Sequence, residues 1–364
     1  MPLSRLLFIA AFFSFIDGLS QLRCGLDDYF QHKESVDQFE KWLSNHRINA
    51  VTPFNSPLNA KKILNIPVVF HIIHRGENLG TGTNLPDEKI IEQLQILNED
   101  FRKANDDHIL TPLEFLDKAA DTEINFILAK QDSEGLPSQG ITRQQGNQNT
   151  YNRSEEGILY AENYWPAENY LNIYIADLED YLGWATFPFS DLEGNIEINN
   201  DRLLDGVAID YKWLGVNENT GSFSSYGRTL THEIGHYFGL RHLWGSQQNC
   251  STDDYCIDTP YQSTSYSGEC PSETVISCGT SDMYSNYMNY TDDACMNIFT
   301  QNQKERMHAV LNHSPRRNTL LNSSALDNPI VALNDLGIKT MNATPLNDCN
   351  SLLLPKVVVR NYGI

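Results

Sequence analysis

The sequence predicts an α/β fold in which a mixed, twisted sheet and its helices precede an irregular lower part. Segments with the composition of buried strands recur along the first half of the chain: "IPVVFHIIHR" (66–75), "INFILAKQD" and "YLNIYIADL". Between the first two, "PDEKIIEQLQILNEDFRKA" places Ile90, Leu94 and Leu97 at helical spacing after Pro86. Residues 250–295 lack such periodicity and hold five of the seven cysteines. These three observations predict the division into two parts.

The charge balance limits the class of partner. The chain has 364 residues and a formal net charge of −21. Such length allows one large or two moderate domains. Nucleic acids and anionic membranes bind basic surfaces, so neither is expected as a partner.

The N-terminus has the features of a signal peptide. Arg5 precedes an uncharged apolar run, 6–16, which is too short to span a bilayer but suits a signal-peptide core. Gly18 and Ser20 are small residues at the spacing that signal peptidase recognises, so we predict cleavage after Ser20. A buried helix at the start of a cytosolic domain is the alternative. Export predicts a secreted, extracellular protein without membrane insertion, in which disulfides are permitted.

The stretch "LTHEIGHYFGLRHLWG" (230–245) predicts a catalytic zinc site. His232 and His236 are four residues apart, so on a helix both imidazoles can reach one ion. Glu233 lies beside them, where a carboxylate can contact a metal-activated water. Gly239 can adopt positive φ and end the helix, which would let His242 supply a third imidazole. Solvated histidines on an amphipathic helix remain the alternative for the first half, but the full HExxHxxGxxH spacing is the metzincin pattern. His71 and His74, in the first strand, are interpreted as packing residues.

A second stretch, "YSNYMNYTDDACMNIF" (284–299), lies where metzincins place a methionine-containing turn. Met288 would form an apolar floor beneath the three histidines. Tyr290 could hydrogen-bond the oxyanion of a tetrahedral intermediate. A methionine between aromatic residues is more often simple core filling.

With these motifs the sequence resembles the pappalysins, metzincin proteases related to pregnancy-associated plasma protein-A. The likeness rests on "HEIGHYFGLRH", "DTP" (258–260), "NYMNYTDDACMNIFT" and an "RCG" at 23–25, and it spans about residues 21–315. It implies a zincin-like catalytic domain at 61–318, with sheet and helices above a zinc cleft and an irregular lower subdomain. It also implies endopeptidase activity on protein or peptide substrates with one catalytic Zn²⁺. We expect a monomer.

The "RCG" predicts how the enzyme is kept latent. Thiolates are good zinc ligands, and Arg23 would lower the pKa of Cys24 and anchor the segment in an acidic cleft. The resemblance implies that Cys24 binds the zinc in the latent form, as a cysteine switch. We therefore predict a propeptide at 21–60. A lipid-modified Cys24 is disfavoured by the large, charged Arg23, and an ordinary surface cysteine is the other alternative.

The resemblance also implies pairings among the cysteines of the lower subdomain. A zinc-binding cysteine cluster is the alternative, but no CxxC spacing occurs. Cys256 has no family partner, and Cys349 is the other mature cysteine left over. The implied disulfides are Cys250–Cys278 and Cys270–Cys295.

Oxygen donors in the same loop suggest a second metal. Asp254, Asp258 and Thr259 could bind calcium, and pappalysins can carry structural Ca²⁺. Excess acidic surface is usually only solvated, so the composition alone does not require this ion.

Substrate binding is predicted at two places. "GWATFPFS", from Gly183, would form the upper rim of the cleft as an edge strand with which a peptide can pair. An ordinary edge strand ending at Pro188 is the alternative. The resemblance implies that Asp293 lines the pocket for the residue just after the scissile bond, which predicts a preference for Arg or Lys there. Glu233 would act as general base and return the proton to the leaving amine.

The C-terminal part loses these motifs. "SPRRNTLLNSSALDNP" has the composition of a linker, and "LLLPKVVVRNYGI" that of a strand without partners. We predict that 319–364 is a linker and the start of a truncated C-terminal β domain. Packing of these residues back onto the protease is the alternative.

Two other functions remain open from sequence. A zinc-binding secreted adhesin or binding module without turnover is disfavoured by the presence of Glu233, Met288 and Tyr290. A gluzincin-like hydrolase would take its third ligand from a glutamate on a later helix, which His242 argues against.

Overall fold

The computed structural model describes residues 21–26, 33–49, 63–188, 204–217, 225–268, 270–329, 336–342 and 356–361. The predicted signal peptide, Cys349 and the end of the predicted propeptide lie outside the described residues. Within the described ranges, no helix is both long enough and apolar enough to cross a bilayer.

The main sheet has six strands in the order β2-β1-β4-β6-β5, and β3 also pairs with β1. The first strand is the longest and pairs on one edge with β2 and then β3, and on the other edge with β4. These pairs and β4·β6 are parallel, whereas β5 is antiparallel to β6, so the predicted mixed sheet is confirmed. The strands are β1 (Leu64–His74), β2 (Ile124–Leu128), β3 (Ile141–Gln145), β4 (Leu171–Ala176), β5 (Gly183–Ala185) and β6 (Val207–Asp210).

Burial on both faces explains the composition of the central strands. Nearly every side chain of β1 and β4 is buried, as expected for parallel strands covered on both sides. His71 is fully buried and hydrogen-bonds to Thr142 and Asn172, so its interpretation as a packing residue holds. Two short pairs complete the strands: β7 (Val216–Asn217) with β8 (Ser225–Tyr226), and β9 (Leu336–Asn342) with β10 (Lys356–Asn361).

Five α-helices occur in the described residues. The predicted helix after the first strand is α2 (Asp87–Phe101), which buries Ile90, Leu97 and Phe101. One core cluster joins these side chains to the apolar strand residues and to the helix that carries the zinc motif. The remaining helices are α1 (Lys33–Asn49), α3 (Glu156–Ala161), α4 (Arg228–Tyr237) and α5 (Gln301–His313).

The lower part, from about residue 243 to 300, consists of turns and isolated bridges, as the lack of periodicity predicts. Its disulfides have the implied pairing, with Cys250 joined to Cys278 and Cys270 to Cys295. Cys256 is buried and carries a free thiol.

The segment after α5 corrects the linker prediction. Arg316 and Arg317 are buried and both donate to Asp205 Oδ2, at 3.0 and 2.8 Å. Leu320 and Ala325 are buried as well, so the folded domain continues to about residue 326. Polar composition suggested a linker because it does not reveal a buried counterion more than a hundred residues away.

The C-terminal strand, β10, has a pairing partner. β10 pairs antiparallel with β9, from Lys356 opposite Asn342 to Asn361 opposite Leu336. The expectation of a strand without partners is therefore wrong. The sequence around β9 is broken by Gly337 and polar residues, which hid its strand character.

Candidate metal centre and active site

The zinc motif is built on α4 and the turn that follows it. Gly239 adopts φ +86°, which glycine tolerates and other residues disfavour, and this ends the helix so that the chain turns back toward it. His232, His236 and His242 are all buried. The structure thus brings together the three imidazoles that the sequence spacing predicts as zinc ligands.

Backbone carbonyls set the tautomers of two of these histidines. His232 Nδ1 lies 2.7 Å from the carbonyl of Tyr287, and His236 Nδ1 lies 2.8 Å from that of Leu240. A carbonyl oxygen only accepts, so each Nδ1 carries the proton and each Nε2 presents a lone pair.

The Nε2 atoms converge on one point. His236 Nε2 lies 2.9 Å from His232 Nε2 and 3.1 Å from His242 Nε2. Two lone pairs cannot form a hydrogen bond with each other, so the short contact between His232 and His236 fits a cation held between the rings. Burial, together with the neighbouring imidazoles, lowers the pKa of His232 and His236 well below the usual range, which keeps the rings neutral and able to ligate. The donor set therefore fits zinc.

Cys24 is the fourth member of this cluster. Its Sγ and one nitrogen from each of the three histidines lie within 4.8 Å of one another. Over the part of the chain that the structure describes, no other group of three or more His, Cys, Asp or Glu side chains is placed to share a metal ion. The thiol also lies 3.6 Å from Glu233 Oε2 and accepts from the backbone N–H of Leu26 at 3.3 Å.

Glu233 is fully buried beside the histidines. Burial raises the pKa of its carboxyl to about 8, although the Cys24 thiol and two arginines oppose the shift. Its Oε1 has no hydrogen-bond partner among the described residues. A Cβ added to Gly183 would lie 3.0 Å from Glu233 Cγ, so the glycine of the rim strand makes room for this carboxylate.

Met288 lies directly beneath α4. It is fully buried, and a Cβ added at Gly235 would lie 2.5 Å from its Sδ. The glycine inside the zinc motif is therefore required by close contact with the predicted apolar floor.

This contact gives a stability prediction. Helix propensity alone would favour Gly235→Ala by about 1 kcal/mol. We expect the opposite, a loss of roughly 1–3 kcal/mol from overpacking against Met288, measured as a lower Tm of the zinc-loaded full chain. Gly157→Ala is the matched control, since Gly157 lies in α3 and an added Cβ would meet only the flexible end of Leu204. Equal or higher Tm for Gly235→Ala would contradict the tight packing.

Tyr290 lies at the edge of the metal centre. Its ring centroid is 4.8 Å from that of His242 and 5.6 Å from that of His232. The ring also contacts Trp244, which stacks on His242. The predicted oxyanion-binding residue is therefore next to the ligands, partly buried.

Asp293 lies at the N-terminal end of α4 and contacts the N-terminal segment. Its Oδ2 accepts from the backbone N–H groups of Tyr226 and Arg228, at 3.0 and 2.9 Å. Its Oδ1 accepts from Arg23 at 2.6 Å. One oxygen is thus used by the backbone, while the other faces a cationic side chain.

The N-terminal segment also forms backbone hydrogen bonds with the rim strand, β5, and the residues just before it. Leu22 donates its N–H to the carbonyl of Asp180 and accepts from Leu182, at 2.8 and 2.9 Å, and Gly25 donates to Gly183 at 3.1 Å. The segment 21–26 therefore runs parallel to the edge of the sheet at β5, across the metal centre. This is the edge that the sequence predicts for peptide binding.

Sequence reasoning missed the network behind the metal centre. Asp100 is buried and accepts from Tyr287 Oη at 2.8 Å and from Thr231 at 2.8 Å, with Arg228 3.4 Å away. Burial raises the pKa of Asp100 to about 6. Because the carbonyl of Tyr287 holds His232, this carboxylate helps to position a ligand. No local motif marks it, since it lies near the end of an ordinary amphipathic helix, α2.

The proposed calcium ligands have other partners. Asp258 accepts from Thr300 Oγ1 and the backbone N–H of Asn302 at the start of α5, at 2.7 and 2.8 Å. Thr259 Oγ1 donates to Asp254 Oδ1 at 2.6 Å. These contacts account for three polar residues without a cation, and calcium binding stays a prediction.

Comparisons with known proteins point to one family of proteases. The family model described as pregnancy-associated plasma protein-A matches residues 152–312. An extracellular metalloprotease of Colletotrichum graminicola is 28% identical over 306 residues, which are 83% of this chain and 95% of the relative. Extracellular metalloproteases of Sordaria macrospora and Verticillium alfalfae are 30% and 32% identical, over 70% and 67% of this chain and 77% and 76% of theirs.

Solved structures give the same result. A mutant of promirolysin from Tannerella forsythia superimposes with a TM-score of 0.71 at 32% identity, covering 85% of this chain and 99% of that one. Mature mirolysin from the same organism, in complex with a cleaved peptide, gives a TM-score of 0.65 at 37% identity, over 73% of this chain and 98% of that one. The match is more extensive for the pro-form. Taken with the sequence relatives, it shows that the chain belongs to the pappalysin family of metalloendopeptidases.

Proposed function

We propose that this chain is a secreted zinc endopeptidase that is held latent by its own N-terminal segment until residues 21–60 are removed. The observation that carries the proposal is the position of Cys24, whose thiol lies among the three imidazoles and beside Glu233. Secretion is supported by the signal-peptide pattern and by relatives named extracellular metalloproteases.

The histidines would hold the metal, and Glu233 would move the proton. A zinc ion bound by His232, His236 and His242 would supply Lewis-acid activation of water and of the peptide carbonyl. Glu233 lies beside the histidines with an unpartnered Oε1, so it is placed to accept a proton from water and to return it to the leaving amine. Tyr290, at the edge of the site, would hydrogen-bond the carbonyl oxygen as negative charge develops.

Latency would follow from the same geometry. A thiolate from Cys24 would complete a four-ligand set with the histidines and would leave no position for water. The segment 21–26 also covers the sheet edge at β5, so a substrate strand cannot pair there. Removal of the segment would therefore open the metal centre and the substrate groove together.

The Arg23–Asp293 contact supports a preference for basic residues after the scissile bond. Arg23 Nη2 donates to Asp293 Oδ1 at 2.6 Å, and the carboxylate is buried. A substrate Arg or Lys would replace Arg23 at the same oxygen once the segment has left.

We expect the processed enzyme to cleave a peptide with Arg at this position on the order of 10–100-fold faster than the matched Leu peptide, as one charge-assisted hydrogen bond contributes about 1.5–3 kcal/mol. Asp293→Asn should remove most of this ratio, because the amide oxygen can still accept from Tyr226 and Arg228 but carries no charge. The ratio of kcat/KM values is the measurement. An unchanged ratio in Asp293→Asn would show that another residue sets specificity.

The proposed function as a whole is tested by a quenched peptide library, with products mapped by mass spectrometry. Chelator-sensitive internal cleavage by the processed protein is expected, and zinc should restore it. If the processed protein bound zinc but cleaved nothing, a binding module without turnover would be the better description.

A further inference from the structure

Arg306 is a buried cation whose charge is satisfied by the N-terminal segment. Its Nη1 and Nη2 donate to the two carboxylate oxygens of Glu40 in α1, at 2.6 and 2.5 Å. Its Nε donates to the carbonyl of Gly239, at 2.6 Å, in the turn that carries His242 to the metal centre. The guanidinium is almost completely buried, and both of its terminal nitrogens donate hydrogen bonds to the same carboxylate of α1.

A second arginine faces the same carboxylate. Arg241 Nη1 lies 3.9 Å from Glu40 Oε1, and Arg241 is itself buried. Two cations of the catalytic domain thus converge on one anion of the predicted propeptide. Asp254 is also buried close enough to Arg306 that each influences the pKa of the other. Its Oδ1 accepts hydrogen bonds from Thr259 and from the backbone N–H of Cys256, whereas its Oδ2 has no hydrogen-bond partner among the described residues. The carboxylate that Arg306 contacts directly is that of Glu40.

This cluster and the Asp293 pocket lie at opposite ends of α4. Asp293 binds the backbone at Tyr226 and Arg228, where the helix begins, whereas Arg306 binds Gly239, just after it ends. The helix has 10 residues and is about 15 Å long. The N-terminal segment therefore places Arg23 at one end, Cys24 at the metal centre and Glu40 at the other end.

Removal of the segment would take away Glu40, the carboxylate to which both terminal nitrogens of Arg306 donate. The two guanidinium groups would stay close together on the uncovered surface, so an acidic side chain that enters there would gain two cationic partners. We infer that Arg306 and Arg241 form a carboxylate-binding site, filled by Glu40 in the latent form and open to an acidic side chain of a bound peptide after processing. The inference rests on the proposed role of residues 21–60 as a removable propeptide.

The geometry favours a peptide carboxylate over other anions. A planar guanidinium matches a carboxylate in the two-bond arrangement seen here. The residue before Glu40, Phe39, packs edge-on against Phe187 with ring centroids 5.0 Å apart. Phe187 follows the rim strand β5, so a peptide that pairs with this rim would approach the arginines from the same side.

Binding can be measured without turnover. The protein is the processed chain carrying Glu233→Ala, prepared with an added protease, and zinc content serves as the check on folding. The probe is a fluorescent peptide of residues 33–49, compared with the same peptide carrying Glu40→Gln. We expect the unsubstituted peptide to bind at least about tenfold more tightly by anisotropy, with a difference that shrinks at high salt. Peptide Asp37→Asn is the matched control, because Asp37 is exposed on the same helix and its loss should leave the affinity unchanged.

Two protein variants assign the effect to the arginines. Arg241→Gln should reduce the discrimination between the two peptides, and Arg306→Lys should reduce it further, since lysine keeps the charge but loses the paired hydrogen bonds. The inference would be overturned if a protein with both arginines intact bound the Glu40→Gln peptide as tightly as the peptide with Glu40. It would also be overturned if the affinity ratio of the two peptides were the same in both arginine variants as in the protein with both arginines intact. A processed wild-type enzyme that fails to hydrolyse peptides would contradict the proposed function and leave this binding result intact.

Discussion

Replacement of Glu233 by glutamine is expected to lower kcat/KM of the processed enzyme by about 10²–10⁴-fold, the range that a positioned general acid–base contributes. Glutamine has nearly the same shape, but it cannot accept a proton from water or return one to the leaving amine. The carboxylate is buried beside the three histidines without being one of the converging ligands, so zinc should stay bound. The measurement pairs peptide hydrolysis with the zinc content of the same sample.

His236→Gln provides the contrast, because it removes a ligand and should lower both zinc content and turnover. If Glu233→Gln lost the metal as well, the carboxylate would be needed to hold the site. If it kept both zinc and wild-type turnover, another group would be the base.

The second large effect is expected for Cys24→Ala in the unprocessed chain. Loss of the thiol removes one of the four donors at the metal centre and leaves a position for water. The Arg23 and Glu40 contacts remain, so the segment should open more often and not dissociate completely. Each ~1.4 kcal/mol of lost binding raises the open fraction tenfold, so we expect roughly tenfold or more activity before processing.

The assay uses a small quenched peptide, and gel analysis confirms that residues 21–60 are still attached. X-ray absorption should show loss of the sulfur ligand from the bound zinc. Cys256→Ala is the control, as Cys256 is the other cysteine of the described residues that forms no disulfide, and it is not part of the metal cluster. Latency that is equal in Cys24→Ala and wild type would exclude the cysteine switch.

Local spacing explains why the metal centre could be predicted from the sequence. The helix, the positive φ at Gly239 and the three clustered histidines all lie within residues 228–242, so side-chain periodicity is sufficient to place them. The strands β1 and β4 are equally accessible from the sequence, because burial on both faces requires continuous apolar runs. The edge strand β2 is only partly buried, but the apolar residues of "INFIL" still indicate a strand. By contrast, β3 reads "ITRQQ" and β6 has only four residues, so neither carries a clear strand pattern.

Long-range polar contacts explain what the sequence could not show. Arg317 belongs to a segment with the composition of a linker, yet it is fully buried because Asp205 supplies a counterion 112 residues earlier in the chain. Glu40 and Arg306 are separated by 266 residues. No pattern within either segment indicates such a partner, since burial of a charge depends on where the other charge is brought by the fold.

The Cys270–Cys295 disulfide joins the two ends of a loop that contains the residues proposed to complete the active site after α4. Tyr287, Met288, Tyr290 and Asp293 all lie between the two cysteines, while the zinc ligands of α4 lie outside the loop. A reducing environment would therefore loosen the chain that holds Met288 and Asp293 but spare the helix that carries His232 and His236. In the cytosol, where thiols stay reduced, a newly made chain would still bring its three histidines together. The loop that holds Met288, Tyr290 and Asp293 would be less ordered without the disulfide.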